Sequence, residues 1–333
     1  MSNKRTFSYY DFGRVLSYNA VINMIMGARG LGKTYGAKKI VIKNAIERGE
    51  EFIYLRRYKP ELKNRDNFFA DIAHEFLGYE FRVNGPRAEY RLEGDDKWKT
   101  MGYFQALSIA GHVKSVAFPL VTTIIYDEFI IEQGVTRFLP DEVTKFLDFY
   151  STVDRYQDKT RVFMLSNAVT IMNPYFAAWG ITPERELTRF GDGFVVAHFA
   201  DSEKFAREVM NTRFGKFIKN YSGTYAEYAV QNDFKDNDGR LVAKKDSKAQ
   251  YDFTIRCKSG SFSVWVGQSA VFFQRRQPRK VGIMYTITDD VREGEIGLVR
   301  NDRICQWLRR KYRAGRLFFD SPQSRNGFQE LFL

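Results

Sequence analysis

Gly27-Ala28-Arg29-Gly30-Leu31-Gly32-Lys33-Thr34 sets two glycines five residues apart and follows the second with a lysine and a hydroxyl residue. This is the spacing of a phosphate-binding P-loop. Glycines let the backbone turn tightly and aim its N–H groups, here from Gly27 through Thr34, at phosphate oxygens. Lys33 brings a mobile positive charge to the β- and γ-phosphates, and Thr34 offers its hydroxyl to Mg2+. The implied ligands are ATP and Mg2+.

Two further groups have matching chemistry. The β-branched run Val121 to Tyr126 ends in Asp127-Glu128. Asp127 is expected to hold the hydrated Mg2+, and Glu128 to orient and deprotonate an attacking water. The apolar run Val162 to Leu165 ends in Ser166-Asn167. Asn167 is suited either to hydrogen-bond the water or γ-phosphate, or simply to end the strand in a turn.

An α/β core is needed to position these residues. Val21 to Met26 reads as a buried strand entering the loop, and Tyr35 to Arg48 as the helix leaving it, positive end toward the anion. Glu51 to Leu55 reads as a second strand, ending in Arg56-Arg57-Tyr58-Lys59. These cations are expected beyond a strand's carboxyl end, near the phosphates or on a polyanion-binding face. Residues 61–78 show helical spacing, 79–110 short strands, and Pro140 to Val153 a helix. One of the rings Tyr9, Tyr10, Phe12 and Tyr18 either stacks on a base or packs in the core.

From about 169 the pattern changes. Pro174, Pro183, Gly191 and Gly193 interrupt it, and a helix is expected around Ser202–Thr212. Strands are expected at Gln250–Cys257, Ser261–Val266, Ala270–Phe273 and Val281–Thr288, with Arg275, Arg276, Arg279 and Lys280 in the last turn. A closing helix from Asp302 to Ala314, capped by Asn301, shows Arg303, Arg310 and Arg313 on one side. The domain division is thus 1–197 for the nucleotide-binding domain, 198–232 for a linker or lid and 233–333 for a C-terminal domain.

Charge supports that division. Of the net +12, most lies late: residues 201–333 hold 25 Lys and Arg against 16 Asp and Glu, and residues 1–200 hold 27 against 24. A polyanion partner for the C-terminal part is the expectation. Cys257 and Cys305 lack metal-ligand spacing and read as reduced thiols of a cytosolic protein. No apolar run nears the ~18 residues of a membrane span, and Met1 to Phe7 holds no secretion-signal core, so no membrane partner is expected.

Together these segments resemble a known family. Gly27 to Thr34, Phe52-Ile-Tyr-Leu-Arg-Arg-Tyr-Lys-Pro-Glu-Leu62, Tyr126-Asp-Glu-Phe129 and Leu165-Ser-Asn-Ala-Val169-x-x-x-Asn173-Pro-Tyr-Phe176 resemble the DNA-packaging ATPases of phi-29-like tailed phages. So do Val264-Trp-Val266 and Tyr285 to Asp290. The resemblance implies an additional-strand (ASCE) P-loop NTPase domain of the ring-translocase type and a small β-rich α/β domain like a degenerate RNase-H nuclease. It implies a homomeric ring, taken as a pentamer, at the capsid's portal connector, with a packaging RNA in the best-known members. ATP hydrolysis drives double-stranded DNA into the preformed shell. Such a protein works in the host cytoplasm and transiently at the portal vertex, and is not expected in the mature virion.

By the same resemblance, Arg155 occupies the place of a trans-acting arginine finger and Lys114 that of a second basic residue reaching the neighbour's nucleotide. The family's next basic residue is not kept, since position 157 is Gln; Arg161 is the alternative. Asp252, Asp289 and Asp290 are too few for a two-metal nuclease, so no cleavage is expected. The basic residues Arg56, Lys59, Arg275, Arg276, Arg279, Lys280, Arg303, Arg310 and Arg313 are candidates for nucleic-acid backbone. A helicase or DNA-transfer ATPase would share the core but carry clustered-arginine motifs not found here. A non-enzymatic nucleic-acid or capsid adaptor would not need Lys33, Thr34, Asp127 and Glu128 intact.

Overall fold

Ile22–Met26 (β1) is buried along its whole length, as a parallel strand covered on both faces must be. In this computed structural model the described residues are 9–113, 117–131, 138–167, 173–181, 186–200, 203–221, 245–268, 270–299, 301–313 and 316–331. They form two compact units. The first comprises residues 1–169 with 183–233, the second 170–182 with 234–333.

The first unit contains Phe12–Leu16 (α1), β1, Lys33–Arg48 (α2), Glu51–Arg56 (β2), Tyr79–Asn84 (β3), Arg87–Leu92 (β4), Lys99–Ala106 (β5), Val121–Asp127 (β6), Glu142–Asp154 (α3) and Arg161–Ser166 (β7). After Pro174–Trp179 (α4) come Leu187–Phe190 (β8), Val195–Phe199 (β9), Glu203–Met210 (α5) and Arg213–Tyr221 (α6). The sheet order is β3-β4-β5-β2-β6-β7-β1-β9-β8. Strands β5, β2, β6, β7, β1 and β9 are mutually parallel. Antiparallel strands close both edges. Strand β7 is thus inserted between the P-loop strand β1 and the Asp-Glu strand β6, the additional-strand arrangement.

Residues 61–78 are not one helix. Three short 3-10 turns, Lys59–Leu62, Arg65–Asn67 and Ala73–Glu75, carry the chain instead. The reason lies at Phe68. Its carbonyl accepts from Lys38 Nζ at 2.8 Å, while the Ile72 N–H turns to the Phe69 carbonyl. The Phe68 ring also packs edge-on to Tyr54 and Phe104.

The second unit contains α4, Gln250–Cys257 (β10), Gly260–Val266 (β11), Val271–Gln274 (β12), Ile283–Thr286 (β13), Glu295–Gly297 (β14), Arg303–Arg313 (α7), Leu317–Phe319 (β15) and Pro322–Gln329 (α8). Its sheet order is β14-β13-β10-β11-β12-β15. The first three strands are antiparallel neighbours, and β13 and β14 add in parallel beyond β10. That is the strand order of an RNase-H-like sheet. Ile255, Phe262, Val264, Phe273, Leu308, Phe319 and Phe328 form its core.

Two boundaries differ from the sequence division. Helix α4 lies within 1–197 yet packs against α8 in the second unit. Asn173 caps it through Phe176 N–H, and Tyr175 and Phe176 are fully buried. Helices α5 and α6, read as part of a linker, belong to the first unit.

Candidate active site

The P-loop lies between β1 and α2. Gly30 and Gly32 hold φ of 84° and 81°, a left-handed backbone that side chains rarely adopt. Gly32 is the residue before the first turn of α2, so that helix presents its N-terminal N–H groups to an anion. Lys33 is 4% exposed, and its Nζ donates to the carbonyls of Gly27 (2.9 Å) and Ala28 (2.8 Å) and to Asn167 Oδ1 (3.1 Å). Asn167 reaches Lys33 because β7 adjoins β1 in a register that pairs Met26 with Ser166.

Thr34 Oγ1 lies 3.2 and 3.3 Å from the Asp127 carboxylate oxygens, and Tyr54 OH donates to Asp127 Oδ2 at 2.7 Å. Burial, with the Asp127 charge beside it, pushes the Tyr54 phenol well above its usual pKa, so it stays a donor. A hydroxyl and a carboxylate at this spacing suit Mg2+, which keeps several waters and takes few protein ligands. When bound, the ion would neutralise phosphate charge.

Glu128 has φ 58° and a side chain 52% exposed. Arg56 Nη2 donates to its Oε2 at 2.6 Å, while Nε bonds Glu61 Oε2 at 3.1 Å. Burial works against the Arg56 charge, but the carboxylates of Glu128, Asp127 and Glu61 more than offset it. Arg56 therefore lies among the acids at the ends of β2 and β6. Its fork is taken by Glu61 and Glu128, which favours the first of the two placements expected for it, near the phosphates, over a nucleic-acid contact. Its neighbour Arg57 is buried: Nη1 and Nη2 donate to the carbonyls of Glu128 (3.1 Å) and Phe129 (2.6 Å), and Nε bonds Glu142 at 2.8 Å. Tyr126 OH and Leu139 N–H also bond the Glu142 carboxylate. This buried pair fixes the turn carrying Glu128.

Arg57, expected with Arg56 and Lys59 near the phosphates or on a polyanion-binding face, is instead buried against Glu142. Glu142 had no assigned role, although it left a trace. It shares the apolar face of α3 with Phe146, Phe149 and Val153, where a charge needs a partner. Tyr9, one of the four rings named from the sequence, stands at the loop. A Cβ placed on Gly32 would lie 3.0 Å from its ring, and Tyr10 N–H bonds the Leu31 carbonyl. Tyr10 is pinned to His198 Nδ1 at 2.8 Å, leaving Tyr9 as the exposed ring beside the loop.

Arg155 lies elsewhere. It follows α3 in the loop feeding β7, which runs parallel to β1. That loop is at the amino end of the sheet, whereas the P-loop leaves the carboxyl end. Six strand residues at ~3.3 Å each separate the two ends by about 20 Å. Arg155 is exposed and has no side-chain partner among the described residues. Arg161 instead donates to Asn19 Oδ1 at 2.8 Å. Lys114 lies outside the described residues.

In the second unit, Arg275, Arg276, Arg279 and Lys280 are exposed on the turn between β12 and β13. Backbone bonds from Arg275 N–H to Asp320 and from Ser263 Oγ to the Arg276 carbonyl pin this turn. Arg303 and Arg310 are exposed on α7, which Arg313 ends; Lys59 is exposed in the first unit.

A family model, podovirus DNA encapsidation protein (Gp16), matches residues 4–333. The chain belongs to that family. This Gp16-family chain is 37% identical over 325 residues to the "DNA packaging protein" of Bacillus phage B103, covering 96% of this chain and 98% of the relative. It is similar to a chain of the bacteriophage phi-29 viral genome packaging motor assembly, at 33% identity over 98% of both chains with a TM-score of 0.72. The N-terminal domain of the DNA packaging ATPase from bacteriophage phi29 matches 59% of the Gp16-family chain and 98% of itself, at 38% identity and a TM-score of 0.54. The family resemblance and the fold class read from the sequence are thus borne out. Among the described residues, no helix is long and apolar enough to cross a membrane.

Proposed function

We propose that this protein hydrolyses ATP, with Mg2+, to drive double-stranded DNA into a preformed capsid, working as a ring of identical subunits at the portal. One observation carries the reading: the phosphate-binding groups and Arg155 lie at opposite ends of the same sheet. A subunit therefore holds a nucleotide at one end and offers an arginine at the other, the arrangement for completing a neighbour's site.

Lys33 and the P-loop N–H groups bind and orient the β- and γ-phosphates. Thr34 and Asp127 hold the ion. Water attacks the γ-phosphorus, the bond to the bridging oxygen breaks, and Glu128 takes the water's proton. ADP and phosphate leave. Asn167, already on Lys33, is placed to orient the water or a γ-oxygen. The partner subunit's copy of the arginine stabilises charge on the transferring group, an effect worth roughly 10³–10⁵ in rate.

The exposed cations of the β12–β13 turn and of α7 suit phosphate backbone contacts with little base readout. Absence of nuclease activity fits the surroundings of Arg256, which pairs Glu295 at 2.5 Å and reaches Asp290 at 3.8 Å. A fixed cation already occupies the place between these carboxylates.

The test is subunit mixing. Arg155→Ala should bind ATP yet fail to hydrolyse it, and Lys33→Ala subunits should partly restore DNA-stimulated turnover. No restoration would sink the shared site.

A further inference from the structure

The loop after α3 contains no glycine, yet Arg155, Tyr156 and Asp158 hold φ of 54°, 58° and 54°. Non-glycine residues in that region carry a conformational cost and persist only where the surroundings over-determine them. Here the determinant is Asp154, the last residue of α3, which is 1% exposed. Its Oδ2 accepts from the N–H groups of Gln157 (2.9 Å) and Asp158 (3.0 Å). Its Oδ1 accepts from those of Lys159 (3.0 Å) and Thr160 (2.8 Å). Burial disfavours this carboxylate's charge, but the donors outweigh it and hold its pKa below the usual value.

The far side of the loop is anchored as well. Tyr150 OH donates to the Thr160 carbonyl, Thr160 Oγ1 to that of Val121, and Lys159 Nζ to that of Pro119. Against this fixed backbone, two large side chains are left outward: Arg155, and Tyr156 at 89% exposure. A glycine would turn the chain here without strain. This sequence instead keeps side chains at the strained positions and closes the loop on a buried carboxylate. That is how a surface arginine is held in one geometry before it meets a ligand.

We propose that Asp154 is the positioning residue for Arg155, holding the loop so that the guanidinium is presented preformed to the neighbouring subunit's nucleotide. The proposal rests on the trans role of Arg155 given above. Asp154 touches no substrate, and it acts through the geometry of the loop. Removing it frees the loop, so the entropy of ordering Arg155 is then lost at each catalytic event.

The experiment uses full-length protein, DNA-stimulated ATP turnover and binding of a fluorescent ATP analogue. Asp154→Ala should lower kcat at least about tenfold, and by no more than the roughly 10³–10⁵ that a finger supplies, with KM and analogue affinity unchanged within about twofold. Asp154→Asn keeps one good acceptor and should fall between Asp154→Ala and wild type; it carries the test if the alanine variant does not fold. Asp154→Ala mixed with Lys33→Ala should recover turnover, because the latter still donates an intact loop. Mixed with Arg155→Ala it should not, because both lack the same donor. Wild-type kcat in Asp154→Asn and Asp154→Ala would overturn the proposal. So would rescue by Lys33→Ala of the Arg155 variant but not of the Asp154 variants, which leaves the trans finger standing. Failure of Lys33→Ala to rescue Arg155→Ala would overturn the trans reading and this proposal with it.

Discussion

Arg56 and Glu128, from neighbouring strand ends, form a direct ion pair at 2.6 Å, and the same guanidinium lies 3.7 Å from Asp127. The group assigned to accept the water's proton is therefore tethered beside the group assigned to the ion. Glu128→Gln preserves the size of the side chain and a hydrogen bond from Arg56 but removes the base. It should bind ATP like wild type and lose turnover about 10²–10⁴-fold, the usual worth of a positioned base. Single-turnover hydrolysis at wild-type rate would remove Glu128 from that role.

Arg57 and Glu142 make a different pair, with side chains 2% and 0% exposed. Arg57→Ala strands a buried carboxylate and two carbonyls, so chemical denaturation should show a loss of about 3–5 kcal/mol. Replacing both partners by apolar residues, Arg57→Met with Glu142→Leu, should cost much less stability. Turnover should still fall, because the Glu128 and Phe129 carbonyls lose their donor. A double variant with restored stability and full turnover would show that the pair does not support the Glu128 turn.

DNA binding should weaken steeply with salt, since each neutralised phosphate releases counterions. Substituting Arg276 and Lys280 by Ala should reduce the slope of log K against log salt by about 0.9 for each phosphate contact removed. A salt-insensitive affinity, or an unchanged slope in the variant, would move the contact surface away from the β12–β13 turn.

The second unit should also sense acid. The Arg256 guanidinium beside Glu295 holds that carboxyl down to about 2, against ~4.3 for an ordinary glutamate. The folded pKa is the lower one, so the pair's contribution is fully present above ~4.3 and is lost as pH falls toward 2. Urea midpoints of wild type and Glu295→Gln should differ at pH 6, draw closer as pH falls through 4 and 3, and converge only near pH 2 and below. Equal midpoints at pH 6 would show that the pair adds nothing.

Much of the nucleotide site was legible because its requirements are local. A glycine spacing, a lysine and a threonine dictate a loop, and an apolar run ending in Asp-Glu dictates a strand tip. Relationships between strands were less accessible. Nothing near Arg56 in sequence reveals that β2 lies beside β6, which brings Glu128 to it; position alone left it between the phosphate site and a polyanion-binding face. Residues 61–78 show helical spacing of apolar side chains. The deciding contact comes from Lys38, on another element, which takes the Phe68 carbonyl. The transfer of α4 to the second unit likewise depends on α8, far along the chain. Asp154 reads as an ordinary charged residue ending a helix until its four backbone donors are seen.

Helix α3 joins two of these devices. Its first residue, Glu142, is fastened through Arg57 to the backbone of the Glu128 turn, and its last, Asp154, grips the loop that displays Arg155. Thirteen residues at 1.5 Å each make a stiff rod of about 20 Å. Under the proposed trans role of Arg155, a displacement at the Glu128 turn would be carried along this helix to the loop that displays the arginine, with no loop between to absorb it. In the proposed ring, one helix of each subunit would then tie its own hydrolysis turn to the group it offers its neighbour.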